Sequence, residues 1–300
     1  MRLLPVLLAQ SHPLAPDRAV GDLRNDVLSL MDAFPGTRLL VYPEFHTCTV
    51  DGGRAERERQ FRELAEPLDG PRVSALRSIA REAGVWLAPG TVLERGPRGE
   101  LFNTAVVIAP DGEVASSYRK IFPWRPSEPF DPGTDFVTFD IPDVGRVGLA
   151  VCYDLWFPEI IRHLAWLGAE VVLIPTQTST ADREQELVLA RAAAIQNQVF
   201  VVSVNAAGPV GTGRSIIVDP EGLVRCQSPG EGVARLSDVV DLDTVTKTRL
   251  LGTCGLNRMW SQGRPGDPVL PLPLYAGDLD PARWEPAQLP STSTGGSHDG

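Results

Sequence analysis

The sequence predicts an α/β fold, and three observations support this prediction. Residues 146–175 have the pattern of a strand, a helix and a second strand, which together make a βαβ unit. The hairpin sequence at residues 107–114 has a counterpart at residues 217–224, so that one copy lies in each half of the chain. Reactive side chains follow directly after three of the predicted strands. Two similar α/β halves that form one sandwich explain these observations.

The first half of the chain is predicted to contain three helices and five strands. Asp17 is the expected N-cap of the first helix, and Gly84 is expected to end the third. The apolar face of the first helix is predicted to consist of Val20, Leu23, Val27, Leu28 and Met31. The helices span residues 17–31, 55–66 and 71–83. The strands span residues 3–9, 38–42, 85–93, 103–109 and 114–118.

The second half is predicted to repeat this plan. In its βαβ unit, Pro158 suits the first helical turn and Gly168 suits the helix end. The predicted helices span residues 158–167 and 181–196. The predicted strands span residues 135–141, 145–151, 170–175, 199–204, 215–218 and 223–226. One domain is therefore expected over residues 1–250, followed by a proline-rich arm over residues 251–285 and a disordered tail over residues 286–300.

Composition and charge exclude several classes of protein. The net charge of −10 is the opposite of what a nucleic-acid-binding face requires. No apolar run reaches the ~18 residues of a membrane span, and Pro5 interrupts the apolar N-terminus, which we interpret as the first strand and not as a signal peptide. The 4 cysteines show no Cys-x-x-Cys spacing, which argues against a structural zinc site or a disulfide framework and favours the reducing cytoplasm.

Cys152 is the candidate nucleophile. It lies where a predicted strand ends and a helix begins, beside Tyr153 and Asp154. In open α/β sheets this edge binds ligands, and a nearby helix N-terminus favours the thiolate. The alternative interpretation is that Cys152 is a small buried core residue, as most cysteines in apolar runs are.

Glu44 and Lys120 also follow predicted strands. Cysteine chemistry on an acyl carbon needs a group for proton transfer, positive donors for the oxyanion and a proton for the leaving nitrogen. A carboxylate, a lysine and the backbone N–H of Tyr153 supply these functions without histidine. Each residue alone has the alternative of being an ordinary surface side chain. A Cys–His protease is poorly supported because no spacing singles out a partner among His12, His46, His163 and His298.

Several segments resemble the conserved blocks of the nitrilase superfamily, the carbon–nitrogen hydrolases, and they occur in that family's order. The blocks with catalytic residues are Pro43-Glu44-Phe45, Tyr118-Arg119-Lys120-Ile121, and Gly148 to Asp154 followed by Phe157-Pro-Glu159. Further matches are Phe130-Asp-Pro-Gly133 after Glu128, Ala190-Arg-Ala to Asn197-Gln198, Asn205, Gly213-Arg-Ser215 and Asp219-Pro220. The resemblance covers roughly residues 3–250.

The resemblance implies a four-layer α-β-β-α sandwich and a defined set of roles. Glu44 would be the general base and acid, Lys120 the oxyanion stabiliser and Cys152 the nucleophile. Glu128 would orient Lys120 or the substrate nitrogen. The resemblance implies no metal and no organic cofactor. It also implies a homo-oligomer, for which the arm over residues 251–285 is the candidate contact.

The substrate class is predicted from departures within these blocks. Cys152-Tyr153-Asp154 resembles the amidase and carbamoylase branches of the superfamily and not the Cys-Trp-Glu of true nitrilases. Leu155-Trp156 stands where carbamoyl-amino-acid enzymes often place arginines, Phe122-Pro123-Trp124 replaces a common His-Leu, and Gln196 replaces a glutamate common before Asn-Gln. The predicted substrate-binding residues, several of them aromatic, are Tyr153, Trp156, Phe122, Trp124, His46 and Thr176. The alternative for these aromatic residues is plain core packing.

The predicted function is hydrolysis of a small, neutral amide through a cysteine thioester, with release of ammonia and a carboxylic acid. Hydrolysis of an N-carbamoyl or ureido compound, hydrolysis of a nitrile and acyl transfer to an amine remain open alternatives within the family. A non-catalytic α/β binding protein is the alternative from a different class. The expected partner is a small-molecule substrate, with neither nucleic acid nor membrane.

Overall fold

The computed structural model describes residues 1–279, and its core consists of two β-sheets between helices. The first half contains β1 (Leu3–Gln10), β2 (Leu39–Val41), β3 (Trp86–Ala88), β4 (Thr91–Arg95), β5 (Leu101–Ile108) and β6 (Val114–Arg119). The later strands are β7 (Thr138–Ile141), β8 (Gly145–Leu149), β9 (Val171–Thr176), β10 (Phe200–Asn205), β11 (Ile216–Val218), β12 (Val224–Gln227), β13 (Ala234–Asp241), β14 (Leu270–Leu272) and β15 (Gly277–Leu279). The helices are α1 (Ala19–Ala33), α2 (Arg54–Leu64), α3 (Pro71–Ala83), α4 (Pro158–Trp166), α5 (Arg183–Asn197) and α6 (Asp243–Leu251).

Each large sheet has parallel strands at its centre and antiparallel strands beside them. The first sheet has 7 strands in the order β13-β1-β2-β3-β5-β4, with β6 paired to β5. The second has 6 strands in the order β12-β11-β10-β9-β8-β7. In the first sheet β1, β2 and β3 are parallel, and in the second β8, β9 and β10 are parallel. The carboxyl ends of the parallel strands within each sheet therefore meet at one edge.

Alternating side chains along the strands create the layers. On β1, Leu4 and Leu8 pack against the other sheet, whereas Leu7 packs against α1 and α3. On β9, Leu173 packs between the sheets, whereas Val172 packs against α4 and α5. Both faces of each sheet are thus covered with apolar side chains, which is why these strands are almost continuously hydrophobic. The predicted four-layer α-β-β-α sandwich is confirmed.

The first helix differs from its prediction in its start and in its buried face. The predicted cap, Asp17, is wrong: the helix begins at Ala19, Arg18 precedes it, and no side chain caps it. Asp17 itself lies in the turn before the helix. The fully buried face consists of Ala19, Leu23, Val27 and Leu30. The predicted face residues Val20, Leu28 and Met31 lie at its half-buried borders. By contrast, α3 spans the predicted residues and ends at Gly84, which has a left-handed φ of 62°.

The strand predicted over residues 85–93 is two strands, β3 and β4, along the same side of β5. Leu87 lies opposite Ile108, and Thr91 lies opposite Ala105. The four residue steps from Leu87 to Thr91 therefore span the same length of sheet as the three steps from Ile108 to Ala105. This one-residue excess is a β-bulge. It contains Gly90, whose φ is +91°.

The structure also contains elements that the sequence did not predict, among them β13 and α6 and, in the arm, β14 and β15. Over its whole length β13 pairs antiparallel with β1, from Leu3 beside Asp241 to Gln10 beside Ala234. The last strand of the second half therefore completes the sheet of the first half, and the two halves are interlocked.

The arm after residue 251 contacts the core at several points, and within residues 252–277 its buried side chain is that of Trp260. Trp260 is buried, and its ring lies 6.2 Å from that of Trp166. The guanidinium groups of Arg162 and Arg249 lie over the same ring. The rest of the arm is mostly exposed up to Gly277. Residues 280–285 of the predicted arm and the predicted disordered tail lie outside the described residues. Both the domain boundary and the subunit contact stay predictions. None of the helices within residues 1–279 is long and apolar enough to cross a membrane.

Candidate active site

Three predicted catalytic residues lie just beyond the ends of strands. Glu44 follows β2, Lys120 follows β6 directly, and Cys152 follows β8. Glu44 follows a strand of the first sheet and Cys152 follows a strand of the second, so the site lies between the two sheets of the sandwich. Hydrogen bonds and charge interactions join Glu44, Lys120, Glu128 and Cys152 into one group. The roles of these residues stay predictions.

The Glu44 carboxylate is buried and has a partner for each of its oxygens. Its Oε1 accepts hydrogen bonds from Asn103 Nδ2 at 2.7 Å and Lys120 Nζ at 3.0 Å, and its Oε2 accepts one from the Gln177 backbone N–H at 3.0 Å. Burial raises the pKa of Glu44, the Lys120 ammonium opposes this effect, and the charge of Glu128 adds to it. A carboxylate with a raised pKa is a suitable general base and acid.

The loop that carries Glu44 depends on the bulge between β3 and β4. A Cβ at Gly90 would lie 1.8 Å from the carbonyl oxygen of Pro43, so only glycine permits this approach. On the other side of Glu44, the Phe45 N–H donates to Thr91 Oγ1 at 3.0 Å. The bulge thus fixes the backbone before and after the glutamate.

Lys120 is fully buried and is held by two carboxylates. Its Nζ lies 2.9 Å from both oxygens of Glu128 and 3.0 Å from Glu44 Oε1. Burial lowers the pKa of Lys120, but the charges of Glu128 and Glu44 outweigh it, and the pKa is raised well above its usual value. The backbone N–H of Trp124 donates to Glu128 Oε2 at 2.8 Å and holds that carboxylate in place. The ammonium is therefore a fixed positive charge.

Cys152 begins a 3-10 turn between β8 and α4, with an uncommon positive φ of 48°. Asp154, which is fully buried, organises this turn. Its Oδ2 accepts hydrogen bonds from Val151 N at 2.9 Å and Tyr118 Oη at 2.8 Å, and its Oδ1 accepts one from Phe122 N at 2.9 Å. Burial raises the pKa of Asp154 to about 6. Asp154 belongs to the Cys-Tyr-Asp motif, yet the sequence alone indicated no role for it.

Cys152 is half-buried as a residue, and its thiol is strongly disfavoured as a thiolate. Burial raises its pKa well above the usual value, the Glu44 charge raises it further, and Lys120 opposes both. The resting site therefore holds a neutral thiol near a carboxylate that can accept its proton.

A second group of polar residues lies on the other side of Cys152, and sequence reasoning missed most of it. Thr178 Oγ1 lies 3.9 Å from Cys152 Sγ and within 2.9 Å of both oxygens of Glu186. Asn205, part of a conserved block but given no role, accepts a hydrogen bond from the Thr178 N–H at 2.8 Å. The predicted residue Thr176 instead donates its hydroxyl to the Ile174 carbonyl at 3.1 Å. Thr178, which follows β9, is thus the threonine that contacts the cysteine.

The predicted aromatic residues form a cluster beside the Cys152 turn, with one exception. The Phe122 ring stacks on Phe157 with 3.6 Å between centroids. The Tyr153 ring meets Phe157 edge-on at 5.4 Å and lies 6.0 Å from Trp156. Trp124 is instead 42% exposed and contributes its backbone N–H to Glu128. Phe157 was not among the predicted substrate-binding residues, although it lies in a conserved block.

His46 is buried near Glu44 in sequence, and its ring stacks on Tyr42 at 4.6 Å. Burial and the charge of Arg235 lower its pKa to about 3, so the imidazole is neutral at pH 7. Among residues 1–279, no group of three or more His, Cys, Asp or Glu side chains could hold a metal ion.

Comparison with known proteins places this geometry in a family. The model of the carbon–nitrogen hydrolase family matches residues 24–250. Formamidases of Bacillus cereus and Bacillus anthracis are 31% identical over 194 residues, which is 64% of this chain. The chain spans only 57% of the length of these formamidases.

Solved structures show the same fold. Saccharomyces cerevisiae Nit3, a member of branch 10 of the nitrilase superfamily, superposes with a TM-score of 0.74 at 27% identity and covers 83% of this chain and 94% of its own. A variant of the amidase from Nesterenkonia sp. AN1 gives a TM-score of 0.65 at 26% identity, with 82% and 94% of the two chains covered. These matches confirm the predicted resemblance. The chain therefore belongs to the carbon–nitrogen hydrolase family, within the nitrilase superfamily.

Proposed function

We propose that this protein hydrolyses a small, neutral, linear amide through a thioester on Cys152. The observation that supports this most directly is the buried Lys120 ammonium between the Glu44 and Glu128 carboxylates, with its charge acting on the Cys152 thiol. Such a group supplies a base, a fixed positive charge and a nucleophile, which acyl transfer requires.

In the proposed reaction, Glu44 serves each proton transfer. It accepts the thiol proton while Cys152 Sγ attacks the amide carbonyl carbon. The Lys120 ammonium and the Tyr153 N–H stabilise the charge on the carbonyl oxygen. Glu44 then protonates the nitrogen as the C–N bond breaks, which releases ammonia and leaves the thioester. Water, deprotonated by Glu44, attacks the thioester, and the carboxylic acid leaves as the thiol regains its proton.

The charges around the site favour a neutral substrate. Lys120 and Arg183 are two cations that interact electrostatically with Cys152, and both are paired with glutamates of this chain. A substrate carboxylate would have to compete with these buried partners. The aromatic cluster offers apolar surface to the acyl group instead. The names of the relatives agree with this substrate class, because they include formamidases and an amidase in complex with butyramide.

The test is ammonia release from a panel that contains formamide, acetamide, butyramide, an N-carbamoyl amino acid and an aliphatic nitrile. We expect turnover of a neutral amide, and an acyl adduct on Cys152 by intact-mass spectrometry. The Cys152→Ala variant is the control and should lose both. A related enzyme provides a precedent for an adduct on the cysteine. A variant of the Nesterenkonia amidase shows covalent addition of the acetamide moiety of fluoroacetamide at its active-site cysteine.

Other results would favour the alternatives. Turnover of only the carbamoyl compound or only the nitrile would replace the amide proposal. Product formation that requires an added primary amine and does not occur with water alone would indicate an acyltransferase. Absence of turnover and of any adduct, with Cys152 unreactive to iodoacetamide, would favour a binding protein.

A further inference from the structure

The polar group on the far side of Cys152 has no place in the reaction proposed above. Thr178 Oγ1 lies 3.9 Å from Cys152 Sγ, and the Thr178 side chain is buried. The same hydroxyl lies 2.9 Å from both oxygens of Glu186. Glu186 and its partner Arg183, both on α5, are buried as well.

These contacts set the direction of the Thr178 hydroxyl. A hydroxyl has a single hydrogen, and a carboxylate is only an acceptor, so the hydrogen points toward Glu186. Arg183 Nη1 donates to Glu186 Oε2 at 2.9 Å and compensates its charge. Asn205 accepts the Thr178 backbone N–H at 2.8 Å and keeps the residue in place. What Thr178 offers to Cys152 is therefore a lone pair, which can accept a hydrogen bond but cannot donate one.

We propose that Thr178 is a positioning residue for Cys152, whose hydroxyl is oriented by Glu186 and Arg183 to accept the thiol hydrogen and to keep the cysteine protonated between turnovers. The role in turnover rests on the amide hydrolysis proposed above. The protonation of the Cys152 thiol in the resting protein does not depend on that proposal. When substrate binds, the S–H bond breaks and the proton passes to Glu44, and Thr178 then faces a sulfur that carries negative charge. The other charged groups that act on this thiol are Glu44, Lys120, Glu128, Glu186 and Arg183.

The experiment measures how fast iodoacetamide alkylates Cys152 between about pH 6 and pH 10, because only the thiolate reacts. Peptide mapping separates Cys152 from Cys254, an exposed cysteine that serves as the internal reference. No amide is present, so failure of the proposed hydrolysis would not affect this result.

In the Thr178→Val variant the thiol loses its acceptor. Since the neutral thiol is then less stabilised, the apparent pKa should fall, and alkylation at pH 7 should be about threefold faster than in the wild type. The Thr178→Ser variant keeps the hydroxyl and should react like the wild type. If valine disturbs the packing, as thermal unfolding would show, Thr178→Ala provides the same comparison.

The Glu186→Gln variant weakens the orientation of the hydroxyl. Arg183 is a donor and holds the amide oxygen of Gln, so the amide NH₂ donates to Thr178, whose hydroxyl hydrogen is then shared between that amide oxygen and Cys152. In this background Thr178 is a poorer acceptor for the thiol hydrogen. Adding Thr178→Val to Glu186→Gln should therefore accelerate alkylation at pH 7 by less than the roughly threefold expected beside Glu186. A larger acceleration in the Gln background, slower alkylation in Thr178→Val alone, or no effect in either background would overturn the proposal.

Discussion

The Tyr118 hydroxyl donates a hydrogen bond to Asp154 at 2.8 Å, and this contact joins the strand that leads to Lys120 with the turn that carries Cys152. Asp154 also accepts the backbone N–H of Phe122, on the other side of Lys120. The buried Asp154 carboxylate thus fixes the position of the segment around Lys120 relative to the turn that carries Cys152. Such support from outside the reacting atoms is what keeps an active site in its productive geometry.

The Asp154→Asn variant should lose both stability and activity. Asp154 accepts three hydrogen bonds. In the variant the Asn NH₂ group, itself a donor, would face one of these three donors, and that hydrogen bond would be lost. We expect the free energy of unfolding to fall by about 1–3 kcal/mol for the buried donor left unpaired. Urea unfolding and ammonia release measure the two effects. Tyr118→Phe removes only one of these hydrogen bonds and should cost less, about 1 kcal/mol. Equal losses in both variants would show that the Tyr118 contact alone carries the effect.

The Glu128→Gln variant should shift the pH profile of turnover. The charge of Glu128 raises the pKa of Glu44, so its removal lowers that pKa. Glu44 then stays ionised to lower pH, and the acidic limb of kcat/KM should move to lower pH. Because Lys120 is left to pair with Glu44 alone, kcat should also fall, by about 10²-fold. The measurement is kcat/KM against pH with the amide found in the turnover assay. An unmoved acidic limb would contradict the assignment of that limb to Glu44.

The Gly90→Ala variant should be strongly destabilised, and Gly99→Ala is its matched control. Both glycines have positive φ, +91° and +87°, but a Cβ meets Pro43 at 1.8 Å in the first case and no atom within 4 Å in the second. Backbone strain alone should cost about 1 kcal/mol in Gly99→Ala. Strain plus the clash should cost on the order of 4 kcal/mol in Gly90→Ala, which also displaces Glu44. Urea unfolding of the two variants checks this, and similar losses in both would show that the Pro43 contact is unimportant.

His46 should make the fold less stable in mild acid. Its pKa falls from 6.5 to about 3 on folding, so the unfolded chain binds a proton that the folded chain does not. The stability that this provides is complete above the unfolded pKa and is lost as pH falls below it, amounting to about 2 kcal/mol between pH 7.5 and pH 5. His46→Phe keeps a ring against Tyr42 without titrating. The free energy of unfolding, measured with urea at both pH values, should fall by about 2 kcal/mol less in the variant than in the wild type. Parallel losses in the two proteins would mean that His46 is not the cause.

The sequence was informative where local chemistry decides the structure. The βαβ unit around Cys152 has strong periodicity and clear end signals, Pro158 and Gly168, and the structure contains it as α4 between β8 and β9. Lys120 and Glu44 could be placed at strand ends because they closely follow the predicted strands over residues 114–118 and 38–42. The four-layer arrangement came from the family resemblance, and the alternation along β1 and β9 explains it physically.

Tertiary contacts decided what the sequence did not show. The break at Gly90 is required by the approach of Pro43, a residue far away in the chain, and no local pattern signals it. Thr176 and Thr178 are indistinguishable by spacing, because residues two apart point to the same side of an extended segment. Only the loop after β9, held by Asn205, decides which of them meets Cys152. Nothing in the sequence singled out Glu186 and Arg183 on the helix predicted over residues 181–196, and their burial became evident only in the fold.

The pairing of β13 with β1 has a consequence for how the chain is made. Leu3 is synthesised long before its neighbour Asp241, which follows only after most of the domain has been made. Until then one edge of β1 exposes unpaired backbone donors and acceptors, and such an edge promotes aggregation. A nascent or truncated chain that stops before Ala234 therefore has an open, apolar strand, and the first sheet can close only after residues 234–241 have been synthesised.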